Sequence, residues 1–126
     1  IMSTIKANTL LHSDGTTTTQ PSIPALDQRM AKAWCLYQGN TNTLSNSYNV
    51  SSVTDVATGT FLVNYTTAVS SASHITVASC GPQSGAPRNI VAGAKPVSTS
   101  TANLLVETSD GAALDQSQLS FIAFDN

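Results

Sequence analysis

Charge is what this sequence has least of. Seven acidic and five basic residues make 10% of its 126 positions, against about 25% in ordinary soluble domains. The cations Lys6, Arg29, Lys32, Arg88 and Lys95 are scattered along the chain. A nucleic-acid binder neutralises several phosphates together with clustered Lys and Arg, so no nucleic-acid partner is expected. Long apolar runs are missing too. None approaches the ~18 residues of a membrane span, and no basic segment leads into an apolar one as in a secretory signal. The expectation is a soluble chain without membrane insertion, whose natural start is Met2.

Reactive side chains are as scarce. The two cysteines, Cys35 and Cys80, make no disulfide framework. Two small buried thiols are expected, with a single interstrand disulfide as the alternative. Of the two histidines, His12 falls in a turn and His74 opens a strand. A Ser or Cys nucleophile needs a His base and an orienting acid, and Gly81-Pro82-Gln83-Ser84-Gly85 lacks the spacing of a nucleophile elbow. Metal-binding spacings (His-x-His, Cys-x-x-Cys, Asp-x-Asp) do not occur. Three copies of His74 on a trimer axis could hold an ion, but an ordinary surface histidine is the stronger expectation. Glycoside hydrolysis asks only for two carboxylates. The candidates are Asp14, Asp27, Asp55, Glu107, Asp110, Asp115 and Asp125, and most stand where Asp stabilises a turn through its own backbone. No acid–base pair, catalytic residue, cofactor or metal is therefore assigned. The protein is expected not to be an enzyme.

What replaces charge is hydroxyl. Ser and Thr contribute 17 residues each, enough to solvate a folded surface. Period-two alternation marks strands at Ser3–Leu11, Ala33–Gln38, Tyr48–Val56, Phe61–Tyr65, His74–Cys80, Arg88–Ala92, Asn103–Thr108 and Leu119–Phe124. Turns are expected at His12–Gly15, Gly39–Asn46, Ala57–Gly59, Gly81–Pro87 and Asp110–Gly111. Pro24 precedes a stretch, Ala25–Ala33, that suits one or two helical turns. Seven or eight short strands so spaced predict a single-domain antiparallel β-sandwich or jelly-roll-like barrel. Residues 1–20 would be an N-terminal strand or arm with a polar linker, and 21–126 the sandwich.

Two regions invite contact. In the last strand Leu119, Phe121 and Ala123 face one way, Ile122 and Phe124 the other. Apolar residues on both faces imply cover on both sides, by a neighbouring subunit or by a central place in the core. Phe121, Ile122 and Phe124 are the candidate oligomer interface. The candidate exposed loops are Gln38–Thr43 and Gln83–Arg88, with Gln38, Gly39, Asn40, Asn42, Gln83, Ser84 and Arg88 as contact residues. Trp34, Tyr37 and Tyr48 flank the first loop. They would serve a sugar platform, although filling the core is the favoured role for Trp34 and Tyr48.

Three stretches carry a resemblance. Arg29-Met30-Ala31-Lys32-Ala33-Trp34, Tyr48-Asn49-Val50-Ser51-Ser52-Val53-Thr54-Asp55 and Gly59-Thr60-Phe61-Leu62-Val63-Asn64-Tyr65-Thr66-Thr67-Ala68 resemble a module of small virion proteins of tailed bacteriophages. Its pattern runs K-A-W-V-N-F-N-G-T-G, then S-x-N-V-S-S-I-T-D-x-G-T-G-x-Y-x-V-N-F-T-T-A. Ser3–Thr9 is similar to the start of such proteins, so the likeness covers residues 3–11 and about 29–78. Cys35-Leu36-Tyr37-Gln38 stands where the family has Val-Asn-Phe-Asn, and the C-terminal third departs from it. The resemblance implies an exposed, commonly trimeric tail-fibre or fibre-tip protein, made in the host cytoplasm and located in the virion. Other virion proteins and a host-surface glycan would be its partners. It transfers no catalytic residue, and it makes the sequons at Asn49 and Asn64 incidental. A capsid decoration protein is the alternative, and a free carbohydrate-binding module a remote one.

Overall fold

The structure, a computed structural model, describes residues 6–9, 11–16, 23–81 and 90–125. One helical turn, α1 (Pro24–Asp27), precedes eight strands: β1 (Ala33–Gln38), β2 (Thr43–Tyr48), β3 (Val50–Ala57), β4 (Thr60–Tyr65), β5 (Ile75–Cys80), β6 (Ile90–Pro96), β7 (Thr101–Thr108) and β8 (Leu119–Phe124). They form two antiparallel four-stranded sheets. Sheet I has the order β2-β1-β8-β5, and sheet II the order β3-β4-β7-β6. The all-β sandwich expected from the alternation is what the chain builds, as two separate sheets rather than a closed barrel.

Alternation decides what lies between them. The central strands of sheet I turn Ala33, Cys35, Tyr37, Leu119, Phe121 and Ala123 inward. Those of sheet II answer with Phe61, Val63 and Tyr65 from β4 and Ala102, Leu104 and Val106 from β7. Two aromatic pairs bridge the gap. Tyr37 meets Phe61 edge-on at 5.3 Å, and Tyr65 lies 6.3 Å from Phe121. Each large side chain so buried stabilises the fold by roughly 1.5–3 kcal/mol.

The corners are held by particular side chains. Between β2 and β3 the chain passes from one sheet to the other through Asn49, at φ 53°. Its amide donates to the carbonyls of Lys32 (2.9 Å) and Thr67 (3.0 Å), and its Oδ1 accepts from the Thr67 N–H at 2.7 Å. In the β3–β4 hairpin Gly59 takes φ 70°, where a Cβ would strike the Val106 carbonyl, and its N–H donates to Asp115 Oδ1 at 2.7 Å. Asp125 Oδ2 accepts from the backbone of Ser70 and Ser71, tying the β4–β5 connection to the end of β8.

Several expectations are corrected. Of the predicted strand Ser3–Leu11, the described residues 6–9 and 11 are exposed and belong to no strand. Thr43–Asn46 is not turn but the start of β2. β6 runs on to Pro96, past the expected strand end at Ala92. The helical turn expected after Pro24 does form, as Pro24–Asp27, while Ala33 at the far end of that stretch belongs to β1 and pairs with Ala123. His74 is no surface histidine: it is 4% exposed, with Nδ1 2.9 Å from the Ser71 carbonyl and Nε2 2.8 Å from the Tyr65 hydroxyl. With both nitrogens engaged inside the domain, it cannot meet its copies on an axis.

Candidate assembly face

The outward positions of sheet I follow from the same alternation. Because Ala33, Cys35 and Tyr37 point in, Trp34, Leu36 and Gln38 point out. Strand register then aligns four apolar side chains across the whole sheet. Tyr48 pairs with Trp34, Trp34 with Ile122, and Ile122 with Val77. All four are exposed, from 36% at Trp34 to 53% at Val77. The Trp34 and Tyr48 rings lie 6.5 Å apart at an interplanar angle of 23°. Ile75, 66% exposed, pairs with Phe124 beside this row. On its other side Asn46, Leu36, Ser120 and Ser79 form a row in which three of four residues are polar.

None of the strands β1, β2, β5 and β8 contains an Asp, Glu, Lys or Arg. Sheet II differs. Its exposed Val91 pairs with Glu107, Leu105 sits between Gly93 and Thr60, and Lys95 pairs with Asn103. Asn64 on that face donates to the hydroxyls of Ser52 and Thr54, each at 3.1 Å. One side of the sandwich is therefore a continuous apolar band and the other a polar mosaic.

The candidate interface residues divide accordingly. Phe121 is 1% exposed and belongs to the domain's own core, because it shares the inward phase of Leu119 and Ala123. Ile122 and Phe124 lie on the outer face. Trp34 and Tyr48, expected to fill the core, stand on that face instead, and Tyr37 alone of the three is buried. The aligned partners Val77 and Ile75 were signalled only by sharing one face of their strand.

The β1–β2 loop is a tied-down tip. Tyr37 donates its hydroxyl to Asn42 Oδ1 at 2.9 Å, and Asn42 Nδ2 donates to Asp55 at 3.0 Å. Gln38 binds Ser45 and Thr41 through its two amide atoms. Gln38, Asn40 and Asn42 are exposed as expected. Gly39, expected to be exposed, is buried, and a Cβ there would lie 2.8 Å from Phe61 and 2.9 Å from the Gln116 carbonyl. Gln83, Ser84 and Arg88 lie outside the described residues.

Carboxylates are spent on turns. Asp14 accepts from Thr16, Asp110 from Thr108, Asp115 from Gly59 and Asp125 from Ser70. Among the described residues no three of His, Cys, Asp and Glu gather as a metal site. Burial pushes the Cys35 thiol up to about 12, far from a nucleophile's range. Both cysteines are free. Cys35 pairs with Phe121, Phe121 with Ala78, and Leu119 with Cys80. The thiols thus sit two strands apart, roughly 10 Å, beyond the ~7 Å reach of a disulfide. No protein-family model, curated protein or solved structure matches the chain.

Proposed function

We propose that this chain is a non-enzymatic structural protein of a bacteriophage virion. Its role there is an exposed tail-fibre or fibre-tip protein, homotrimeric and joined to other virion proteins, that touches the host surface through its loops. The observation that carries this reading is the uncharged outer face of sheet I, where exposed Tyr48, Trp34, Ile122 and Val77 align across all four strands. Contiguous exposed apolar surface on a small protein marks a place where something docks. The tip around Gln38, Asn40 and Asn42 supports a presenting role, because its internal bonds hold a fixed polar surface. A surface glycan is the ligand such amides suit. Scarcity of Lys and Arg leaves few sites for trypsin-like proteases, and scarcity of charge reduces dependence on salt. Both suit a particle outside cells.

A capsid decoration protein is the second reading. It is favoured by residues 6–9 and 11–16, which are exposed apart from half-buried His12, lie outside both sheets and could serve as a clamping arm. Immunogold labelling with antibody against the chain tests both readings on intact particles. Gold at the tail is the expected result, gold on the head selects the decoration role, and unlabelled particles overturn the virion reading.

A further inference from the structure

We infer that the outer face of sheet I is a self-association surface, covered in solution by the same face of the other copies of this chain. The inference deepens the assembly reading above and rests on it for the number of copies. It assigns the surface and the partner from the face itself.

Size comes first. Four strands about 4.8 Å apart and six residues long at ~3.3 Å each span a face roughly 20 Å on a side. That footprint of roughly 400 Å² is raised by side-chain relief toward the ~800 Å² that each partner brings to a stable protein interface. The band Tyr48–Trp34–Ile122–Val77, flanked by Ile75, reaches from edge strand to edge strand. Its anatomy is that of an interface: aromatic and aliphatic residues inside, with Asn46, Ser120 and Ser79 along one side as a polar rim. Trp34 and Tyr48 are of the residue types that dominate binding energy.

Chemistry then selects the partner. The strands of this face hold no charge, so nothing in them recognises phosphate, an anionic lipid headgroup or an acidic or basic peptide. A glycan platform would use the two rings but leave Ile122, Val77 and Ile75 without a role. The matching surface is another uncharged apolar sheet face, and a further copy of the chain supplies one at equal concentration. Sheet II offers no such face, because register sets its exposed Val91 and Leu105 against Glu107, Gly93 and Thr60.

Light scattering on the purified chain and three variants tests this. Trp34→Lys and Ile122→Lys put charge on the band at outward positions, and Leu105→Lys does the same on sheet II. Circular dichroism verifies that each keeps its strands. The wild type is expected at an integer multiple of 13.0 kDa at micromolar concentration. Each sheet I variant should weaken association about 30-fold or more, the scale of a lost hot spot, and Leu105→Lys should leave it unchanged. A wild type that stays monomeric at its highest soluble concentration overturns the inference, as does dissociation by Leu105→Lys alone. An assembly broken by Trp34→Lys beside unlabelled particles keeps this inference and removes the virion reading. Labelled particles with a monomeric chain do the reverse.

Discussion

Cys35 shows how much a single buried group can set at the residue scale. The folded chain keeps its thiol protonated to about 12, through burial, whereas the ordinary value is 9.0. The native state therefore holds a proton that the unfolded state releases. Stability is complete below about 9 and falls as pH rises from there toward 12. Burial also raises the Tyr65 phenol, with Cys35 a smaller cause, and adds to the same alkaline loss. Urea midpoints measured between neutral and alkaline pH should decline, and Cys35→Ala should flatten the onset. An unchanged slope in that variant would refute the assignment. Asp110 works in the opposite direction. The Thr108 hydroxyl, and less so the backbone, hold its carboxyl below the usual range. Its contribution is present above the ordinary carboxylate range and lost as pH falls through the lowered value. NMR titration should find Asp110 among the lowest carboxyls, and Thr108→Val should raise it. The phase of β1 was legible at this scale, since Trp34 and Tyr37 differ in parity and cannot both face inward. Its direction was not, because small Ala33 and Cys35 give no hint that they, rather than the indole, fill the core.

Among the elements, β1 and β8 could be bounded to the residue because each is a short apolar run with polar residues or glycine at its ends, as mid-sheet strands are. β2 could not. Thr43-Leu44-Ser45-Asn46-Ser47-Tyr48 is an edge strand with no buried residue, so nothing selects apolar side chains, and Asn and Ser read as turn. The two faces of β8 carry different work, and substitution separates them. Phe121→Ala removes a ring from between the sheets and should cost about 3–5 kcal/mol. Ile122→Ser, one residue on, should cost the domain under ~1 kcal/mol. Chemical denaturation of both variants, with Ile122→Ser compared as monomer, measures the contrast. Equal losses would mean that β8 is buried on both sides by its own domain. Gly59→Ala should also be costly, more than ~1 kcal/mol, because positive φ and the Val106 carbonyl both oppose a Cβ.

For the whole molecule, sparse charge means that electrostatics contributes little to holding it together. The ion pairs include His12–Asp14 at 3.2 Å and Lys32–Asp27 at 3.5 Å, both in contact with solvent and of a kind worth little. The urea midpoint should therefore barely move between low and moderate sodium chloride, and a strong salt dependence would contradict this picture. Fold class was readable because hydrophobic period and turn residues are local signals. The apolar band was not, since it exists only once register lays Tyr48, Trp34, Ile122 and Val77 side by side from four distant parts of the chain.

Trp34 is the one tryptophan, and it stands on the outside of the sandwich. Its fluorescence is thus a gauge of what lies over the sheet rather than of whether the chain is folded. Emission should shift to the blue when the band is covered and return toward the red on dilution, while the strands stay intact. The protein carries its own optical probe at the place where a neighbour would settle.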